Sequence, residues 1–301
     1  IVASSPTVSE MRPPIRQRTS RSRPASSVPQ KWEFVKLGGA LFGHTLVWYA
    51  QSPPAFERLD VSRIAFDAAY RNYILAVAGR YRGQVSGWDV VNEAVAEDGE
   101  GWRDSLWSRK LGALNHMVLA FQHAREADPD AVLFLNDYNL ENIPKKRATF
   151  LKLAEALLKA GAPLGGLGTQ THVAADLAPG ELSRTISDLA SLGLPVHLSE
   201  MDVSITRSEG LIKDRTRLAA GQARVYAEAA EAFSSLPPSQ RFAFTHWGLR
   251  AGDSWLKREN ATELLEAAAH KTCRELEELI AERFPRTEVL TLVVPVIEKQ
   301  G

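Results

Sequence analysis

Residues 84–93 read Gln84-Val85-Ser86-Gly87-Trp88-Asp89-Val90-Val91-Asn92-Glu93. The run over 84–91 is short and mostly apolar, the length of a buried strand, and it stops on a carboxamide and a carboxylate. The same layout recurs on both sides of it. Candidate strands fall at 41–48, 131–136, 165–170, 195–199 and 242–247. Amphipathic stretches between them predict helices over 62–81, 108–127, 145–160, 179–192 and 213–234. Gly161 before Pro163 and Gly193 before Pro195 read as helix stops. Strands that alternate with helices predict an α/β fold, a parallel sheet wrapped by helices whose closed form is the eight-stranded (β/α) barrel.

The chemistry sits after the strands. His44 and Trp48 follow the first, Asn92 and Glu93 the second, and Asn136, Asp137, Tyr138 and Asn139 the third. Gln170 and His172 come next, then Glu200 and Asp202, and finally Trp247. In a parallel barrel these positions share one mouth, at the C-terminal ends of the strands. A single Glu at a strand end is most often a solvated loop group, and a lone His172 would read as a satisfied core histidine. Two carboxylates with amides and histidines beside them point instead to glycosidic-bond cleavage, which needs one carboxyl on each side of the scissile bond. Trp48, Tyr138, Trp247 and Trp255 are aromatic faces on which sugars could stack, although core packing is the commoner use of such rings.

Bulk properties narrow the classes. The 301 residues balance 36 basic against 36 acidic side chains, so nothing global steers the chain toward nucleic acid or an anionic membrane. The lone cysteine, Cys273, allows no intrachain disulfide and reads as a small buried filler. Residues 1–39 differ from the rest. They are rich in Arg, Pro and Ser, carry no helical or strand period, and are expected to be disordered. No aromatic platform interleaves Arg12, Arg16, Arg18, Arg21 and Arg23 as single-strand binding would want. A catalytic barrel domain is expected over 40–285, with a further helix over 261–284, and a tail over 286–301.

Six motifs occur in a telling order: Gly43-His44-Thr45-Leu46-Val47-Trp48, Trp88-Asp89-Val90-Val91-Asn92-Glu93, Asn136-Asp137-Tyr138-Asn139, Gly168-Thr169-Gln170-Thr171-His172, Ser199-Glu200-Met201-Asp202, and Trp247-Gly248 with Ser254-Trp255. Together they resemble glycoside hydrolase family 10, the barrel xylanases, over roughly residues 40–260. The resemblance implies a retaining endo-acting attack on β-1,4-xylan without metal or cofactor, with Glu93 as acid/base and Glu200 as nucleophile. It implies sugar contacts for His44, Trp48, Gln51, Asn92 and Gln170, and a leaving-group-side contact for Tyr138. Lys31, Trp247 and Trp255 would bind further out, while His172, Asp202 and Asn136 would support the site. The implied partner is xylan or a xylo-oligosaccharide, with no nucleic acid and no membrane, for a monomer that is secreted or periplasmic. A retaining β-1,4-glucanase on the same barrel and a catalytically weak carbohydrate-binding relative are the alternatives.

The chain departs from the family pattern at several points. The first two strand–helix units look degenerate or replaced. Of the Glu-Asn-x-x-Lys-Trp pattern expected in the second, only Lys31-Trp32 is matched, with Ser27 and Val28 in the first two places. Phe42 stands where the family carries Arg, Tyr49 where it carries His, and Ala251 where it carries Asp.

Overall fold

A computed structural model describes residues 40–209 and 214–248. Lys31, Trp255, Cys273, Ala251, the segment 1–39, the helix expected over 261–284 and the tail 286–301 lie outside the described residues.

The strands are β1 (Leu41–Trp48), β2 (Val85–Asn92), β3 (Val132–Asp137), β4 (Gly166–Thr169), β5 (His172–Ala174), β6 (Val196–Ser204) and β7 (Arg241–His246). Every pairing between them is parallel, in the order β1-β2-β3-β4-β6-β7. β5 prolongs the line of β4 and pairs with the far end of β6. The helices are α1 (Pro54–Glu57), α2 (Arg63–Gly79), α3 (Leu106–Leu111), α4 (Asn115–Ala127), α5 (Pro144–Lys159), α6 (Glu181–Ala190), α7 (Thr206–Glu209) and α8 (Arg215–Ser235). Their starts are chemically marked. Ser62 accepts the N–H of Ala65, Ser105 and Ser108 form a reciprocal capping box, and Asp214 accepts from the N–H groups of Thr216 and Arg217.

Two expectations are corrected. The single helix predicted over 108–127 is two helices, because Gly112 turns the chain out of α3 at φ 100, a conformation that side chains with a Cβ rarely adopt. The strand predicted over 195–199 runs on to Ser204, so Glu200 and Asp202 lie inside β6 rather than beyond it. The extension is paired, with His172 opposite Asp202 and Ala174 opposite Ser204, which the apolar pattern alone does not reveal.

Side chains at the base of the sheet show that it curls strongly, bringing side chains of its two end strands together. β1 and β7 stand at opposite ends of the strand order, which in a flat sheet would separate them by about 24 Å at the usual interstrand spacing. Yet the rings of Phe42 on β1 and Phe242 on β7 lie 5.7 Å apart, centroid to centroid. Phe134 completes the layer at 5.6 Å from Phe42 and 4.5 Å from Phe242, and the ring of His197 fits among all of them. Phe42, at the position where the family pattern carries Arg, is thus part of an apolar floor. Gly87 makes room for that floor, since a Cβ there would meet the Val132 carbonyl oxygen at 2.7 Å and the Phe42 ring at 3.0 Å. A second apolar layer lies outside the strands, where Phe56, Phe66, Tyr70 and Trp107 pack ring on ring under β1 and β2.

Candidate active site

Strand register determines which polar side chains meet. Parallel pairing sets His44 on β1 opposite Asp89 on β2, and Nδ1 of His44 lies 2.8 Å from an Asp89 carboxylate oxygen. Asn92 on β2 faces Asn136 on β3, which faces Gly168 on β4. The missing side chain at Gly168 matters here, because a Cβ would come within 2.4 Å of the Asn136 amide oxygen. That oxygen instead accepts the Ser199 hydroxyl at 2.8 Å, which aims the Asn136 amide nitrogen at Asn92 Oδ1 (3.0 Å) and Glu200 Oε1 (3.3 Å).

Glu93 stands one residue past β2 in the left-handed region, φ 57, with its own N–H donating to the Asn136 carbonyl at 2.8 Å. Its carboxylate takes the indole N–H of Trp48 at 2.8 Å on one oxygen. The other oxygen accepts from Gln170 at 2.9 Å and Asn92 at 3.2 Å. Glu200 is met from two sides by imidazole. His172 Nε2 lies 3.4 Å from one of its oxygens and His44 Nδ1 3.9 Å from the other, while His172 Nδ1 reaches Asp202 at 3.1 Å. Glu93 and Glu200 are thus buried carboxylates joined by one amide network through Asn92, Asn136 and Gln170. The edge of Trp247 covers both imidazoles, with ring centroids 6.2 Å from His44 and 6.0 Å from His172.

Charge in this mouth is balanced locally. Burial pulls the His44 pKa down, but the hydrogen bond to Asp89 and the nearby Glu200, Asp89 and Glu93 charges outweigh it and raise it to about 9. The same contest raises His172 to about 9, with the Asp202 and Glu200 hydrogen bonds overcoming burial. Burial raises Asp89 to about 6, even though His44 pulls the other way. Below this layer His197 goes down to about 3 through burial and the charge on His44, and its Nε2 meets the Thr245 hydroxyl at 2.8 Å. His44, Asp89 and Glu200 bring one potential metal-ligand atom each within 4.8 Å of one another. A protonated His44, however, has no lone pair to offer at Nδ1, and that nitrogen already faces Asp89.

The sequence-expected site residues thus fall into groups. Glu93, Glu200, His44, Trp48, Asn92, Asn136, Gln170, His172, Asp202 and Trp247 converge. Gln51 lies exposed in the bend after β1 at φ 51. Tyr138 belongs to a neighbouring cluster. Its hydroxyl donates to Glu97, its ring covers the Lys146 ammonium at 3.5 Å, and Lys146 in turn pairs with buried Asp137 at 3.0 Å. Asp89, Ser199, Arg103 and Lys146 were not singled out from sequence. For Asp89 a signal existed, since it alternates with the buried Trp88 and Val90 and so had to point into the barrel.

Comparison with known proteins places this architecture. The family model described as glycosyl hydrolase family 10 matches residues 32–274. The chain belongs to that family. Family 10 chains are (β/α)8 barrels, and the curled six-strand parallel path with its aromatic floor is the described part of that barrel. Among its curated relatives, endo-1,4-beta-xylanase B of Paenibacillus barcinonensis is 37% identical over 231 residues, covering 74% of this chain and 69% of the relative. An endo-1,4-beta-xylanase of Geobacillus stearothermophilus is 36% identical over 223 residues, covering 71% and 67%. The native xylanase 10B of Thermotoga maritima superposes with a TM-score of 0.68 at 28% identity, covering 83% of this chain and 78% of that one. A Paenibacillus barcinonensis xylanase complexed with a conduramine derivative gives 0.66 at 34% identity, covering 74% and 69%.

Proposed function

We propose that this family 10 chain is a retaining endo-1,4-β-xylanase acting on internal bonds of xylan. The observation that carries the reading is the pair of buried carboxylates, Glu93 and Glu200, tied into one amide network at the mouth of the barrel. Glu200 is the nucleophile. Its flanking imidazoles, oriented by Asp202 and Asp89, hold it in place for attack on the anomeric carbon. Glu93 is the acid/base, which protonates the departing oxygen and then activates the water that releases the sugar. Asn92, Gln170 and Trp48 hold its carboxyl and lie where they can also meet sugar hydroxyls, contacts that help most when they tighten in the transition state. Tyr138 serves the leaving-group side, and Trp247 covers the opposite side over the histidines. Gln51 is assigned a contact to the sugar just before the cleaved bond, and Lys31 and Trp255 are assigned contacts further out, by their match to the family pattern. A polymeric substrate places the work outside the cytoplasm. Among the described residues no helix is long and apolar enough to cross a membrane.

The test is reducing-sugar release from xylan and from soluble cellulose by the purified chain, with Glu200→Ala as the blank. Release from xylan that vanishes in the variant supports the reading. Preference for cellulose would make it a glucanase, and binding without release from folded protein would sink the catalytic assignment. Glu93→Ala should slow poor leaving groups far more than activated ones, by about 100- to 10,000-fold, the usual contribution of a general acid.

A further inference from the structure

On the leaving-group side of Glu93 a single cation touches backbone, phenol, carboxylate and ring face together. Arg103 sits just after the antiparallel bridge between Val95 and Trp102, and its own N–H donates to the Ala94 carbonyl at 2.7 Å. Its Nε donates to the Glu93 carbonyl oxygen at 3.1 Å. One terminal nitrogen donates to the Tyr138 hydroxyl at 3.3 Å and lies 3.8 Å from Glu97. The guanidinium carbon lies 4.1 Å over the ring of Tyr49, at the position where the family pattern carries His.

We propose that Arg103, clamped against Tyr49, is a positioning residue for the acid/base Glu93. The proposal rests on the hydrolase reading above. Glu93 occupies φ 57, a left-handed conformation that costs a residue with a Cβ free energy and persists only where neighbours over-determine it. The donors on its carboxyl, Trp48, Asn92 and Gln170, face the mouth, where an arriving sugar competes for them. The backbone anchors do not face that competition. They are the Glu93 N–H on the Asn136 carbonyl and the Arg103 Nε–H on the Glu93 carbonyl. Arg103 also holds the Tyr138 hydroxyl, so a leaving group seated against Tyr138 is registered to the backbone of the group that must protonate it. Tyr49 supplies the face that keeps the guanidinium from swinging into solvent, a contact open to planar rings and lost with an aliphatic side chain.

The test measures kcat/KM of the full chain on aryl β-xylobiosides with dinitrophenyl and phenyl leaving groups. The first needs little protonation and the second depends on it. Arg103→Met should lose about tenfold more on the phenyl than on the dinitrophenyl substrate, a fraction of what removing the acid itself would cost. Tyr49→Leu, at a half-open surface position, should lose in the same pattern, and Tyr49→Phe, which keeps the ring face, should restore most of that loss. Equal losses on both leaving groups, or no difference between Tyr49→Leu and Tyr49→Phe, overturn the proposal. If Arg103→Met fails to fold, the Tyr49 pair decides alone. A wild-type chain that cleaves neither substrate overturns the hydrolase reading itself, an outcome distinct from any pattern among the variants.

Discussion

Replacing His172 by Gln tests whether the nucleophile is held by a charge or only by a hydrogen bond. In the fold His172 bridges two buried carboxylates, at 3.4 Å from Glu200 and 3.1 Å from Asp202. Burial opposes its protonation, yet those two partners raise its pKa from 6.5 to about 9, which corresponds to about 3 kcal/mol of preference for the imidazolium. Gln keeps one N–H for Glu200 and removes the cation, leaving Glu200 and Asp202 as like charges without their common partner. Breaking one member out of a buried ionic group costs about 3–5 kcal/mol, so a loss near the lower end is expected at neutral pH. The sign of the pH dependence follows from the raised pKa. The stabilisation is fully present below 6.5 and is lost as pH rises through about 9. The gap between wild type and His172→Gln, measured by urea unfolding, should therefore be wide at about pH 6 and narrow at about pH 10. kcat on an aryl xylobioside should fall in the variant at the lower pH and approach the wild-type rate at the higher one. A gap of constant size across that range would show that His172 is neutral throughout, and would refute the argument that charge orients Glu200.

Further outcomes follow from the same geometry. Lys146→Met strands Asp137, whose pKa burial already raises to about 6 against the pull of Lys146. It should cost about 3–5 kcal/mol at neutral pH, and part of this should return as pH falls and Asp137, whose pKa rises further once Lys146 no longer pulls it down, takes up a proton, read by denaturant titration at neutral and acidic pH. Gly166→Ala puts a Cβ 2.2 Å from the Phe134 ring and should destabilise by about 1–3 kcal/mol in the same assay, with no leaving-group dependence in the residual activity. Ser199→Ala removes the hydroxyl that orients the Asn136 amide. It should lower kcat more than it raises KM, and equal effects on both would argue that Asn136 holds its orientation without it.

Where the sequence was legible, it was legible for identifiable reasons. The β1 bounds agree with the predicted 41–48 because the flanks are punctuated, by Gly38-Gly39 before and Gln51-Ser52-Pro53 after. Glu93 and Glu200 stood out as a pair at strand ends with amides and histidines beside them, where either alone would read as a solvated loop group. The single helix over 108–127 failed at Gly112, where one left-handed residue turns the chain between two segments of the same apolar period. β6 was cut short because Ser199, Glu200 and Asp202 break the apolar run, although the strand continues, buried along its whole length.

The deeper limit is that the working contacts cross strands distant in sequence. His44 meets Asp89, Trp48 meets Glu93, Gln170 meets Glu93, and Asn136 meets Glu200. Each pair depends on parallel register, and a shift of one residue would turn every partner to the opposite face of its strand. Periodicity reports which face a residue takes, but not which partner waits on the next strand. Register here is held by steric details. Gly87 lets the Phe42 ring and the Val132 backbone come close, and Gly168 lets the Asn136 amide lie flat against β4. Those glycines carry no catalytic chemistry, yet a methyl group on either would displace a partner in the layer that aims it. The candidate site is therefore only as well defined as the small residues beneath it. A helix or strand assigned correctly from sequence still leaves the pairing of Glu93 and Glu200 undetermined until those close approaches are known.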